Sequence, residues 1–158
     1  MNCKRLFLIS FLALVLLFQN GCRTRNEFYR QQELFHFLYI NDVKDVSKKT
    51  IVMVLVGSSC GTCIESTKDV LKEIKPDQFE NIAIVMGDEL AISEYSPLIS
   101  KNIERINSNT DSLTYRGLLF PSDIILFIDP PGKIKKWFEI NYLTKQKIIN
   151  EISSFNNW

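Results

Sequence analysis

The pattern of apolar and polar residues changes character around residue 60. Residues 51–56 form a continuous apolar and largely β-branched run, which indicates a strand buried on both faces, as in the middle of a parallel sheet. Gly57 and the two serines after it break this run, and a helical spacing of apolar positions follows. The positions that share one face of this helix are Thr67, Val70, Leu71 and Ile74. Cys60 and Cys63 therefore lie where a buried strand turns into a helix.

This placement has chemical consequences for the two cysteines. The first turn of a helix has unpaired N–H groups and the positive end of the helix dipole, which stabilise a thiolate and lower its pKa. We expect Cys60, at the cap, to be the exposed nucleophile, and Cys63, one turn further on, to be within reach to close a disulfide. Gly61 allows close approach of the backbone, and Thr62 has no ionisable group with which to tune either thiol.

The segments after this helix predict a second strand and a second helix. Residues 81–86 indicate another buried strand, and the two strands with the helix between them make a right-handed, parallel βαβ unit. Ser96 followed by proline indicates the start of the next helix, because serine is a good N-cap and proline suits the first helical position. The apolar residues of that helix extend to Ile106, and residues 107–111 are expected to form a loop.

The two ends of the fold are predicted in the same way. Pro121 stands before an apolar strand, residues 129–132 form a turn, and residues 133–140 alternate as a strand that pairs antiparallel in a hairpin. Thr144 can cap a closing helix, whose inner face consists of Ile148, Ile149, Ile152 and Phe155. Near the other end, residues 27–39 are interpreted as a helix, although part of this segment would also fit a strand.

The first 21 residues are expected to be a signal peptide and not part of the fold. A short positive region precedes an apolar segment at residues 6–18, which is too short to span a bilayer comfortably and has the length of a signal-peptide core. Cys22, preceded by a small residue, resembles the lipobox cysteine of bacterial lipoproteins, although Gln19 stands where leucine is usual. The resemblance implies that Cys22 is lipidated. Cleavage by an ordinary signal peptidase, or an uncleaved anchor, would also export the domain.

This interpretation divides the chain into three parts. Residues 1–21 are the signal peptide, residues 22–48 hold the lipidated N-terminus, a tether and the N-terminal helix, and residues 49–158 form the main domain. The expected location is extracytoplasmic and membrane-anchored, facing the periplasm. Arg23 stands where inner-membrane lipoproteins of enteric bacteria have Asp, which favours the outer membrane slightly.

The net charge and the cysteine content reduce the number of functions that the sequence supports. The formal net charge is +1 and no basic stripe is present, so nucleic-acid binding has no support. Of the four cysteines, Cys3 leaves with the signal peptide and Cys22 would carry lipid, which leaves Cys60 and Cys63 as the only free thiols. In an oxidising compartment such a pair must be disulfide-bonded or actively kept reduced.

The order of the predicted elements resembles the thioredoxin superfamily over about residues 49–158. The specific matches are residues 59–63 at a strand-to-helix turn and Phe120-Pro121 at the opening of the third strand. The resemblance implies an α/β fold, a thioredoxin-like three-layer sandwich in which a central mixed β-sheet is flanked by helices. It also implies that the peptide bond before Pro121 is cis and faces the cysteines. The residues that would bind substrate are Ser59, Gly61, Thr62, Phe120 and Pro121.

The chain departs from the thioredoxin pattern at three positions. Ser59 replaces the tryptophan before the first cysteine, Val54 replaces the buried acid six residues before it, and Phe120 is bulky where a small or β-branched residue is usual. These differences leave open the direction of electron flow. We expect the acidic residues near the site to be solvated, although one could assist proton transfer: Glu65, Asp88, Glu89 and Asp123. His36, the only histidine, is expected to be a half-buried packing residue.

The leading hypothesis is an exported, membrane-anchored thiol–disulfide oxidoreductase that acts on protein substrates. It needs no bound cofactor, but it needs a redox partner in the membrane or periplasm. The alternative is a non-catalytic thioredoxin-fold binding module with a structural or vestigial disulfide. A bridge that closes so short a loop would stabilise the fold little. A zinc site requires about four ligands, and the mature chain offers two thiols and a distant histidine. A peroxide-reducing site would need an arginine beside the cysteine, and only Arg116 lies near the proline segment.

Overall fold

A computed structural model of the chain describes residues 28, 30–43, 45–57 and 60–155. The helices are α1 (Gln31–Ile40), α2 (Gly61–Glu73), α3 (Glu89–Tyr95), α4 (Thr110–Tyr115) and α5 (Lys145–Phe155). The strands are β1 (Thr50–Leu55), β2 (Asn81–Met86), β3 (Glu104–Asn107), β4 (Ile124–Asp129) and β5 (Lys133–Glu139). Short 3₁₀ helices follow α2 and α3, at Pro76–Gln78 and Ser96–Leu98.

The five strands form one mixed sheet in the order β3-β2-β1-β4-β5. β1 pairs in parallel with β2, and β2 pairs in parallel with β3, whereas β4 runs antiparallel to both β1 and β5. β1 lies in the middle and all six of its residues are buried, which accounts for its continuous apolar run. The predicted βαβ unit and the predicted hairpin at the end of the sheet are both confirmed.

Alternate residues of the central strand face opposite sides of the sheet. Ile51, Met53 and Leu55 belong to one apolar cluster, which also contains residues of α2, α3 and α5. Val52 and Val54 belong to a second cluster, which contains residues of α1 and α4. Helices therefore cover both faces, and the molecule has the three layers that the resemblance implies.

α1 confirms the helix expected near the N-terminus and is part of the core. Leu34, Phe37 and Leu38 on this helix are buried in the second cluster. Burial of each such side chain contributes roughly 1.5–3 kcal/mol to the stability of the fold, so these contacts attach α1 firmly to the sheet. His36 is on the outer side of the helix, where it is exposed instead of half-buried as expected.

The segment between β2 and β3 differs from its prediction. The helix begins at Glu89, because the side chain of Asp88 accepts a hydrogen bond from the backbone N–H of Ala91 at 2.7 Å and caps it. Ser96 and its proline start only a 3₁₀ turn of three residues. The predicted helix as far as Ile106 is therefore wrong, since Glu104–Asn107 instead pairs with β2 as the edge strand β3.

The predicted loop at residues 107–111 is also wrong. Asn107 ends β3, and α4 begins at Thr110, with the side chain of Asn109 accepting a hydrogen bond from the backbone N–H of Ser112 at 2.7 Å. This helix places Leu113 in the second apolar cluster. A short helix with a single buried apolar residue has almost no periodic signal, which explains why the pattern did not predict it.

In the part of the chain that the structure describes, no helix combines the length and apolar character needed to cross a membrane. The predicted signal peptide and the lipidation site at Cys22 lie outside the described residues.

Candidate redox site

The two cysteines lie at the carboxyl end of the central strand. β1 ends at Leu55, and Cys60 is the N-cap of α2, with extended backbone angles of φ −86° and ψ 110°. The carbonyl oxygen of Cys60 accepts hydrogen bonds from the backbone N–H groups of Cys63 at 2.9 Å and Ile64 at 3.0 Å, which closes the first turn of the helix. The Cys60 side chain is therefore at the positive end of the helix dipole, as predicted.

Cys60 and Cys63 are not joined in a disulfide, and they approach each other to within 2.7 Å. Cys60 is exposed and Cys63 is partly buried. Hydrogen bonds to the Cys60 sulfur from the Cys63 side chain, and then from the Thr62 side chain, lower the pKa of Cys60 from 9.0 to about 7. The thiolate form of Cys60 is thus available near neutral pH, whereas an ordinary cysteine is mostly protonated.

Thr62 takes a direct part in this stabilisation. Its hydroxyl oxygen lies 3.1 Å from the Cys60 sulfur, within hydrogen-bond distance for sulfur. Thr62 has no ionisable group, as the sequence shows, but its hydroxyl lowers the pKa of Cys60 all the same, because a hydroxyl can donate to a thiolate without being ionisable itself.

The other residues predicted to bind substrate occupy different environments. Gly61 and Pro121 are exposed, and the space around Gly61 is open. Phe120 is only 7% exposed, and its ring packs against that of Phe28 at a centroid distance of 5.7 Å. The Phe120 side chain therefore lies in the core and is not available to contact a substrate. Ser59 lies outside the described residues.

The predicted cis bond before Pro121 is wrong. Within the described residues, the one cis peptide bond joins Pro130 and Pro131, in the turn between β4 and β5.

The environment of Asp123 differs from its prediction. The residue was expected to be solvated, but it is 1% exposed, just before β4. One carboxylate oxygen accepts a hydrogen bond from the backbone N–H of Val56 at 2.7 Å. The other accepts from the Thr67 hydroxyl at 2.8 Å and from the Tyr95 hydroxyl at 2.6 Å. A buried carboxylate is tolerated here because three donors replace its water.

Tyr95 is completely buried, and its environment keeps it protonated. Burial, together with the hydrogen bond to the Asp123 carboxylate and the negative charge of that group, raises the pKa of Tyr95 well above its usual value. A signal for this arrangement exists in the sequence, since Asp123 stands directly before a run of apolar residues, where a charged side chain needs a partner. The pattern does not show that its partners are Thr67 and Tyr95.

The remaining acidic residues are near the surface. Glu65 and Glu89 are exposed, as expected, and Asp88 is partly buried as the cap of α3. Across the described residues, no three His, Cys, Asp or Glu side chains come together as a group that could hold a metal ion.

Comparison with known proteins supports the fold. No protein-family model matches the chain, and no curated protein matches it. A similar solved structure is that of DsbF from MTB in its mixed oxidized and reduced forms. It is 14% identical, with a TM-score of 0.51, over 69% of this chain and 81% of that chain.

A second similar structure is a secreted disulfide oxidoreductase of Mycobacterium tuberculosis that is homologous to E. coli DsbE. It is 9% identical, with a TM-score of 0.50, over 68% of this chain and 82% of that chain. At these identities the similarity establishes the fold alone. The chain has a thioredoxin-like fold, in which a mixed five-stranded sheet is flanked by helices.

Proposed function

We propose that the protein is an exported, membrane-anchored thiol–disulfide oxidoreductase that exchanges disulfides with protein substrates through its Cys-Gly-Thr-Cys site. The observation that supports this proposal is the geometry of the pair. Cys60 is exposed at a helix N-terminus, and Cys63 lies within 2.7 Å of it as a second thiol. The first thiol is accessible to a substrate, and the second is close enough to complete the exchange.

In the reducing direction, the Cys60 thiolate attacks one sulfur of a substrate disulfide. The substrate S–S bond breaks, a mixed disulfide forms, and the released substrate thiolate takes up a proton. Cys63 then loses its proton and attacks the Cys60 sulfur, which forms the Cys60–Cys63 disulfide and releases the second substrate thiol. Two electrons pass to the substrate. The proton that Cys60 gives up when it ionises before the attack and the proton lost by Cys63 balance the two protons that the substrate thiolates take up.

The reverse sequence donates the disulfide to a dithiol substrate. In either direction a redox partner in the membrane or periplasm restores the starting state, and the proposal includes no bound cofactor. With a pKa of about 7, Cys60 serves both as a nucleophile and as a leaving group, since a thiol of low pKa leaves readily.

The proposed substrate contacts are residues beside Cys60 in the sequence, together with the Phe120-Pro121 pair. Gly61, Thr62 and Pro121 are exposed and can lie under an extended substrate segment. We propose that Ser59 and the backbone of Phe120 also contact the substrate, while the Phe120 ring itself packs against Phe28.

The proposed location rests on the N-terminal sequence. An apolar signal-like segment followed by Cys22 supports export and lipid anchoring, with the outer membrane slightly favoured. The similar Mycobacterium tuberculosis protein is described as secreted, which is consistent with a site that works outside the cytoplasm.

The reduction potential of the Cys60–Cys63 couple tests this proposal. The purified protein is equilibrated in graded thiol buffers, and its free thiols are counted. We expect a reversible two-electron transition between about −120 and −270 mV, the range of disulfide-exchange catalysts. A couple below about −300 mV would indicate a structural bridge and would support the non-catalytic binding module instead.

A further inference from the structure

A cavity of about 360 Å³ opens between α1 and the end of α4. This volume lies within the range of small-molecule pockets. Most of the residues that line the cavity carry groups that can donate hydrogen bonds, and they include Arg30, Glu33, His36, Tyr115, Arg116 and Gly117. Neither cysteine lines the cavity, so the disulfide exchange proposed above makes no use of it.

The guanidinium group of Arg30 is packed against the backbone at the end of α4. Arg30 is the N-cap of α1, and its side chain reaches Gly117. A methyl group at Gly117 would stand 2.8 Å from Cζ of Arg30 and 3.0 Å from Nη1, which is closer than such atoms can approach. Gly117 also has a φ of +65°, which L side chains rarely adopt. Glycine at this position therefore lets the guanidinium group lie directly on the chain.

The guanidinium group of Arg116 lies on an aromatic ring of the core. Its Cζ atom is 5.7 Å from the centroid of the Phe37 ring, within the range of a cation–π contact. Phe37 is only 3% exposed and belongs to the second apolar cluster, so the ring is a fixed support. A guanidinium group that is already stacked and planar loses less freedom when it binds a ligand than a mobile side chain does.

The two arginines thus bring two positive charges to one cavity. Arg30 packs on Gly117, the residue next to Arg116, and like charges brought together repel each other. An oxyanion between them would relieve this repulsion, and guanidinium groups bind carboxylates and phosphates through paired N–H donors. His36 adds a donor even when it is neutral. Two arginines against Glu33 leave a net formal charge of +1 with His36 neutral.

We propose that this cavity binds a small molecule, which it holds by a carboxylate or phosphate group placed between Arg30 and Arg116. Tyr115 lines the same cavity and is 92% exposed, so its ring can pack on the organic part of such a ligand. The inference is independent of the thiol chemistry. Cys60→Ser should therefore bind the anion as tightly as the wild type.

Isothermal titration calorimetry of the full-length protein tests the proposal. Sodium phosphate is titrated in one arm and sodium succinate in the other, at constant ionic strength, with sodium chloride as the blank. We expect saturable binding of at least one anion with one site per chain. Arg116→Met keeps a long side chain on Phe37 but removes the charge and the donors, so it should weaken binding about tenfold or more.

Three further variants sharpen the test. Arg116→Lys keeps the charge without the planar donors and should weaken binding less than Arg116→Met does. Arg105→Met is the matched control, because Arg105 is exposed on β3 and does not line the cavity, so the affinity should not change. Glu33→Gln removes the one negative charge of the lining and should tighten binding.

The two arms identify the chemical group of the ligand. Binding of phosphate alone supports a phosphate-bearing ligand, and binding of succinate alone supports a carboxylate. If neither anion shows saturable binding, or if Arg116→Met and Arg105→Met bind equally well, the proposal is overturned. A redox couple outside the range expected above would overturn the proposed function alone and would leave this inference intact.

Discussion

Cys60 and Asp123 are two acidic side chains at the same end of the sheet, and their environments are opposite. Cys60 is exposed and is stabilised by residues within three positions of it in the sequence, Thr62 and Cys63. Asp123 is 1% exposed and is held by groups 28, 56 and 67 residues away. Exposure gives a substrate access to the thiol, whereas burial gives the carboxylate fixed partners. Cys60 is therefore suited to react with a substrate, and Asp123 is suited to hold the segments around it in place.

The hydrogen-bond donors around the Cys60 thiolate and the Asp123 carboxylate also come from different parts of the chain. The thiolate is stabilised by local donors at a helix N-terminus, so short-range chemistry is sufficient. The carboxylate is satisfied only when β1, β4, α2 and α3 are assembled around it. Substitutions at Cys60 should therefore mainly change the reactivity of its thiol, whereas substitutions at Asp123 should mainly change the stability of the fold.

The largest effect is expected at the cysteines themselves. Cys60→Ser should reduce disulfide exchange to the background rate, because a hydroxyl is not ionised near neutral pH. Cys63→Ser should still attack but should not resolve, so it should accumulate mixed disulfides with substrates. Non-reducing electrophoresis after acid quenching checks both variants. Equal trapping by Cys60→Ser would show that Cys63 is the attacking residue.

The second largest effect is expected from replacement of Asp123, which should lower the stability of the fold. Asp123→Ala leaves Val56, Thr67 and Tyr95 with unpaired buried donors, so we expect the free energy of unfolding to fall by about 3 kcal/mol or more. Urea denaturation followed by far-UV circular dichroism measures the change.

Asp129→Ala is the matched control for that measurement. Asp129 lies at the other end of β4 and pairs with Lys135 at 3.1 Å near the surface. Such exposed pairs contribute about 0–1 kcal/mol, so the control should change stability little. Equal losses in the two variants would contradict the contrast between the buried carboxylate of Asp123 and the partly exposed one of Asp129.

The smallest effect is expected at Thr62. Thr62→Val removes a donor to the Cys60 thiolate, so the pKa of Cys60 should rise from about 7 towards 9.0. The rise should be smaller than that caused by loss of Cys63, which is the larger contributor. Alkylation of Cys60 should be slower in the variant near pH 7. It should approach the wild-type rate above pH 10, where Cys60 is ionised in both proteins.

Thr62→Ser keeps the hydroxyl and should resemble the wild type. A pH midpoint of Cys60 alkylation that does not differ between Thr62→Val and Thr62→Ser would show that the helix N-terminus and Cys63 stabilise the thiolate without Thr62.

Prediction from the sequence succeeded where the signals were local and strong. The continuous apolar run at β1, the turn after β4 and the apolar spacing of α2 each predicted the correct element. It failed between β2 and β4, where Ile103 and Ile106 fit a helical spacing but lie in different apolar clusters. The backbone there pairs with β2, and pairing with a distant strand overrides local spacing.

By itself, the sequence determined where the cysteine pair lies: a Cys-x-x-Cys pair stands at the start of a helix that follows a buried strand, within an α/β chain. Those features depend on neighbouring residues, so a pattern is sufficient to find them. Only the tertiary structure decided that Asp123 is buried, that Phe120 faces the core and that Thr67 and Tyr95 share one carboxylate. These facts depend on which strands and helices meet, because residues far apart in the chain supply the partners.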